Sequence, residues 1–325
     1  MAKDMKKPPH SNLDNFLHSV TPSVPSSNLL PKSCIYDINS NRQPFRKEND
    51  YIETFTLGDL WQCYDEWSSY GVATPLVLDD GEILMQYFAP CLSALQICTN
   101  APPLLSFRCP RDIRLESVLS FSDESENDKL SRSTSNNSSG WEASSDEYSS
   151  DFSTFSPSSV DKLGQVYMQY FEYTSPFTRI PFYDKIVELG RKYPGLMTLK
   201  NVELSPASWM AVAWYPIYHI PSHKTPKDLS TMFLTYHTLS SCFQDDEQLD
   251  NDSEAVERKT EKEGRVSLEP FGMASYRMAG DVWINQVDDY DKLMTLQSAA
   301  DSWLKQLGSY HHDFNFFLTH SASVA

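Results

Sequence analysis

His219-Ile-Pro-Ser-His223 sets two imidazoles four residues apart, the spacing at which a helix can offer both to one zinc ion. Pro221 lies between them and no glutamate follows the first histidine, so the helical zinc-protease pattern is excluded and no metal site is expected here. His237, in Thr235-Tyr-His-Thr238, reads as an inward-pointing strand residue satisfied by its neighbours. Cys242 is close to it in the chain, but five residues along a strand place the two on opposite faces. His311-His312-Asp313 follows the longest helical pattern, where a protonated imidazole would complement the helix C-terminus. Should the chain be an enzyme or a small-ligand binder, His219, His223 and His237 are the catalytic candidates.

Carboxylates offer a second chemistry. Asp65 and Glu66 lie among Trp61, Tyr64 and Trp67 and could serve as general acid and base, although the polar strip of an amphipathic helix explains them with less. Asp288, Asp289 and Asp291 could bind a cation through oxygen, or simply cap a helix and favour its N-terminus. Neither the serine elbow of the α/β-hydrolases nor a glycine-rich phosphate loop occurs, and no cofactor is expected. The serines at Ser120, Ser125 and Ser144 each have an acid three residues on, and Ser156 precedes Pro157. These four are candidate phosphorylation sites, where added charge could recruit an arginine-rich partner.

The elements that must position these groups follow from periodicity. Thr56-Leu-Gly-Asp59 fits a capping box, followed by Leu60, Trp61, Tyr64 and Trp67 on one face and a stop at Gly71. Pro181 opens a second helix with Phe182, Ile186 and Leu189, ending near Pro194-Gly195. A third starts near Asp289 and repeats Leu293, Leu296, Ala300, Trp303 and Leu307 at helical spacing. Strands are expected at 82–88, 92–98, 165–172, 208–215, 231–239 and 271–279, with a hairpin turn at Asp80-Gly81. Residues 11–50, punctuated by Pro22, Pro25, Pro31 and Pro44, read as extended and irregular. Strands in runs, with helices early, midway and late, predict an α+β fold: a mainly antiparallel sheet packed with about three helices.

Charge is unevenly placed. The 325-residue chain nets −17. Residues 117–159 hold 17 serines, eight acids and two bases, and residues 244–263 hold nine acids and three bases. Each stretch nets −6, leaving only −5 for the rest, and neither has the apolar content to offset its ordering entropy. The expected organisation is a flexible tail over 1–10 and one α+β domain over 11–325, interrupted by two disordered insertions at 117–159 and 244–263.

Few lysines or arginines interleave the aromatics of 208–218, so nucleic acid is disfavoured as a partner and core packing is the preferred account of those rings. The most apolar stretch, 208–220, is shorter than the roughly 20 residues a spanning helix needs, so no membrane association is expected. Six sparse cysteines without a C-x-x-C motif fit buried, reduced thiols, hence the cytosol or nucleus.

Several segments carry a family resemblance: Ser11-Asn-Leu-Asp-Asn-Phe-Leu-His18, Thr21-Pro-Ser-Val-Pro25, Phe55-Thr-Leu-Gly-Asp-Leu-Trp61, Tyr64-Asp-Glu-Trp67, Asp80-Gly-Glu82, Gln86-Tyr-Phe-Ala-Pro90, Leu204-Ser-Pro-Ala-Ser-Trp209 and Trp214-Tyr-Pro-Ile-Tyr218. In this order they resemble the plant family named domain of unknown function 789, over roughly Ser11 to Phe317. The resemblance implies a plant source and a single domain, and no activity, cofactor or site residue. With no catalytic set legible, the expected function is a non-enzymatic protein-interaction or regulatory domain.

Overall fold

A sheet of six strands divides two apolar layers. The computed structural model describes residues 11–31, 51–78, 81–100, 164–217, 231–244, 264–278, 280–284 and 287–320. The main sheet contains β4 (Val72–Val77), β5 (Ile83–Thr99), β6 (Gln165–Phe171), β7 (Trp209–Pro216), β8 (Met232–Thr238) and β10 (Gly272–Tyr276), and every pairing in it is antiparallel. Its order is β10-β8-β7-β5-β4, with β6 also pairing β5. Two small ribbons pair β1 (Ser23–Pro25) with β9 (Arg265–Ser267), and β2 (Asn28–Pro31) with β3 (Tyr51–Thr54). The α+β class and the antiparallel sheet read from the sequence are what the chain adopts.

The two strands expected at 82–88 and 92–98 are one 17-residue strand, β5. Its length lets it pair with β7 along one edge and with β4 and then β6 along the other. Alternation along β7 sorts the layers. Met210, Val212 and Trp214 enter one core, while Trp209, Ala211 and Ala213 enter the other.

The first layer holds α1 (Asn12–Ser19), α2 (Leu57–Gln62), α3 (Asp65–Tyr70), α4 (Phe182–Lys192), α5 (Gly195–Thr198) and α6 (Gly280–Trp283). The capping box at Thr56 forms as expected: the Thr56 hydroxyl accepts from Asp59 N–H, and the Asp59 carboxylate accepts from Thr56 N–H. The single helix expected over 57–70 is broken into α2 and α3 at Cys63 and Tyr64. Tyr64 is fully buried there and stacks on Phe182, with ring centroids 4.1 Å apart.

Residues 12–19, within the stretch read as irregular, form a helix. Ser11 caps it, and Leu13, Phe16 and Leu17 are buried by their helical spacing. The Asn12 amide fixes it to the sheet by accepting from Val77 N–H and donating to the carbonyls of Val77 and Val282.

The second layer is formed by the C-terminal half of α7 (Val287–Gln306) and by α8 (His312–Thr319), while Leu293 and Leu296 near the start of α7 pack in the first core. Ala300 and Leu304 of α7 with Phe314 and Phe317 of α8 pack on Ala94, Ala211, Ala213, Leu234 and Ala274. The small sheet residues allow close approach. A Cβ at Gly272 would lie 2.9 Å from the Ala300 Cβ and 3.1 Å from its backbone. At the end of α7, Gly308 takes φ +58°, its N–H bonds to Lys305 O, and Ser309 N–H bonds to Leu304 O. This glycine-dependent ending turns the chain sharply, and α8 begins four residues after Gly308.

Candidate functional site

Between Leu92 and Ala94 the β5–β7 register shifts, and Ser93 is the extra residue of a β-bulge. A bulge re-aims a side chain. Here it turns Ser93 towards α8, where the buried residues His311 and Asp313 wait. Arg179 arrives from the loop after β6, and Tyr215 and Tyr236 from β7 and β8.

His311 corrects the sequence expectation. It does not end the long helix as a cation. It stands at the N-cap of α8 and is 1% exposed. Burial lowers its pKa to about 4, with Asp313 opposing, so at neutral pH it is an uncharged imidazole.

The partners assign every proton. Burial disfavours the Asp313 anion, yet hydrogen bonds from Arg179 and Ser93 overcome this and hold its pKa below the ordinary value. Arg179 is bidentate on Asp313, at 2.5 Å from Nη1 and 2.8 Å from Nη2, and Nη1 also donates to the Tyr215 hydroxyl at 2.9 Å. An ionised Asp313 only accepts, so the Ser93 hydroxyl donates to it at 2.5 Å. Ser93 Oγ then accepts from His311 Nε2–H at 2.9 Å, and His311 Nδ1 accepts from the Tyr236 hydroxyl at 2.6 Å. The chain of bonds runs Tyr236, His311, Ser93, Asp313.

Serine, histidine and aspartate meet here in the wrong order for nucleophilic catalysis. In a hydrolase triad the imidazole takes the serine proton and the carboxylate holds the far ring nitrogen. Here the carboxylate takes the serine proton directly, and the imidazole nitrogen facing Ser93 is already protonated. Ser93 is also fully buried. The cluster therefore ties β5, β7, β8, α8 and the loop after β6 together.

His237 is the one catalytic candidate among the described residues, and it is a satisfied core group. Its Nδ1–H donates to Leu268 O at 2.8 Å, and its Nε2 accepts from the Thr235 hydroxyl, which itself accepts from Trp214 Nε1–H. Burial lowers its pKa to about 4 although the Leu268 carbonyl opposes this. Cys242 sits exposed on a short turn at 241–243, apart from this chain of bonds. His219 and His223, and the phosphorylation candidates Ser120, Ser125, Ser144 and Ser156, lie outside the described residues.

The aromatics also resolve. Trp209 and Trp214 are fully buried in opposite layers, while Tyr218 lies outside the described residues. Asp65 lies at the N-terminus of α3, where it accepts from the Gln62 amide; Asp288 and Asp291 are exposed on the first turns of α7. Burial raises the Cys91 and Cys98 thiols to pKa values of about 11, so neither is a ready thiolate. Among the described residues no three His, Cys, Asp or Glu side chains converge as metal ligands. No described helix is long and apolar enough to cross a membrane.

Two features of the described surface bear on binding. A cleft of about 370 Å³ beside β6 is lined by Gln96, Cys98, Val166, Gln169 and Phe171 with the turn at 307–310, and no charged side chain lines it. The loop 173–181 is turned inside out. Its charged Arg179 side chain is 3% exposed, whereas Phe177 is 96% and Tyr173 66% exposed. Sequence reasoning missed Ser93, Arg179 and His311 as one unit. A usable signal existed only for α8, in Asp313 ahead of Phe314 and Phe317.

No curated protein and no solved structure matches the chain. A family model described as a protein of unknown function (DUF789) matches residues 11–317, nearly the whole length. The segments spanned by that match form the sheet, both helical layers and the buried cluster between them, and the chain belongs to this family of unknown function.

Proposed function

We propose that this protein is an interaction domain whose primary contact is the loop 173–181. The observation that carries the reading is the inversion of that loop. Arg179 is folded inward, with Nε and Nη2 donating to Thr174 O and the rest of its guanidinium committed to Asp313 and Tyr215. Tyr173, Phe177 and Ile180 are left outward. Rings held outward on a stiff, arginine-pinned loop lose little freedom on binding, which is what an interface anchor requires. Pro176 and Pro181 stiffen it further.

The filled aromatic layers and the fully committed protons of Ser93, His237 and His311 support this reading over a catalytic pocket in the sheet. Phosphorylation at Ser120, Ser125, Ser144 and Ser156 belongs to the same proposal as a charge switch on the insertion. The free thiols at Cys63, Cys91, Cys98 and Cys242 suit a cytosolic or nuclear setting.

The test is quantitative affinity enrichment from source tissue with the wild-type chain and with Tyr173→Ser/Phe177→Ser. A partner set retained by the first and lost by the second supports the proposal. An identical set recovered by both, with folding unchanged, rejects it.

A further inference from the structure

Among the described residues, β6 forms a sheet edge that no charge, proline or further strand guards. It pairs with β5 alone, and no other described strand adjoins it. Natural edges are blunted by charge, proline or cover. Gln165-Val-Tyr-Met-Gln-Tyr-Phe171 carries neither charge nor proline. Its one irregularity, the bulge at Tyr167, is pinned because the Tyr167 hydroxyl accepts from Gly195 N–H at 2.9 Å. Alternate residues of an antiparallel strand turn their N–H and C=O outward, so about half of this strand is a template for another.

The cleft lies over the β5–β6 face beside this edge, with Val166 56% and Tyr310 68% exposed on its walls. Its polar floor is already paired: Gln169 donates to Gln96, and Gln96 donates to Ala207 O. An uncharged cleft with a satisfied floor suits an apolar side chain rather than a phosphate or carboxylate.

The sequence that joins β5 to this edge is acidic. The chain leaves the sheet at Thr99 and returns at Gly164, whose backbone packs against the Thr99 carbonyl. The sequence between these two points includes the −6 stretch 117–159. A second copy of the chain would carry the same −6 stretch and be repelled by it, whereas basic flanks would be attracted.

We propose that β6 is extended by a strand from a partner protein: a segment uncharged and apolar-alternating in its middle, which places one side chain in the cleft, and lysine- or arginine-rich at its ends. This rests on the interaction reading above but uses a different surface from Phe177.

The test is selection of a random peptide library displayed on phage against the full-length protein, followed by binding of the enriched synthetic peptides. Expected are extended sequences with basic flanks, slowed amide exchange at 165–171 in their presence, and binding weakened about tenfold or more by Val166→Lys. Tyr310→Ala, at an exposed wall, gives the second variant should Val166→Lys fold poorly. Phe177→Ser leaves peptide binding unchanged, so failure at the edge and failure of the loop reading are separable.

Several outcomes overturn the proposal: no enrichment of such sequences, equal binding to both edge variants, or exchange protection elsewhere. A wild-type dimer in light scattering that Val166→Lys dissolves also overturns it, because the edge then belongs to a second copy.

Discussion

The Arg179 guanidinium and the Asp313 carboxylate, 134 residues apart in sequence, meet in a bidentate ion pair whose side chains are 3% and 5% exposed. The pair joins the loop after β6 to the first turn of α8. It thereby couples the presented ring of Phe177 to the layer that closes the second core.

Breaking that pair from one side leaves a buried charge alone. Arg179→Met should lower unfolding free energy by about 3–5 kcal/mol, measured by urea denaturation. Arg179→Met/Asp313→Leu should recover a large part of the loss, because no uncompensated charge remains. A double variant no better than the single one would contradict the role assigned to the carboxylate.

Phe177→Ser should leave stability within about 0.5 kcal/mol of wild type, since the ring is 96% exposed. The thermal midpoint reads this directly. A marked drop would mean that the ring packs on the body and is not presented.

Stability should fall as the solution is acidified from neutrality. His237 and His311 have folded pKa values of about 4 against an ordinary 6.5. Unfolding lets each take up a proton, so their contribution is full above pH 6.5 and is lost as pH falls towards 4. Each loss is on the order of 3 kcal/mol. Asp313, whose folded pKa is lowered, adds a further loss only below its ordinary 3.8. Urea midpoints at pH 7.5, 6 and 5 should decline in order, and His311→Gln should reduce the slope. A flat profile would show that the imidazoles protonate while folded.

Ser93→Ala should cost about 1–3 kcal/mol, because His311 Nε2–H and the Asp313 carboxylate each lose a buried partner. The wild-type hydroxyl should remain unlabelled by a fluorophosphonate probe, read as intact mass. A covalent adduct on Ser93 would reverse the proton assignment.

Gly272→Ala should destabilise by about 1–3 kcal/mol by pushing α7 off β10. Ala300→Gly should restore part of this, since it removes the Cβ 2.9 Å from the new methyl and leaves the α7 backbone at 3.1 Å. Full rescue would imply that the helix backbone yields freely.

The elements that short-range physics controls could be read from the chain. Strand alternation placed β6, β7, β8 and β10 to within a few residues. The Thr56–Asp59 box, Pro181 and the Leu293–Leu307 repeat marked their helices, because capping and helical spacing act between near neighbours. Four helices escaped, two of them the one-turn α5 and α6. α1 was hidden among prolines, although Ser11, Leu13, Phe16 and Leu17 carried its pattern. The sequence reads His311–Asp313 as the end of α7, whereas Gly308, at φ +58°, separates α7 from a further helix, α8.

The candidate site was not legible as a unit. Ser93 reaches His311 across 218 residues and Asp313 across 220, and no local pattern records such a meeting. Whether a histidine is a cation at a helix end or a neutral donor in a core depends on burial, and burial is a property of the packed layers. The same holds for Arg179, drawn inward while Phe177 is left out. Sequence determined the kinds of element and the absence of familiar catalytic motifs, since both depend on residues near each other in the chain. Only the tertiary structure decided which polar groups are spent on one another and which surfaces stay open, because desolvation and ion pairing act between residues that folding alone brings together.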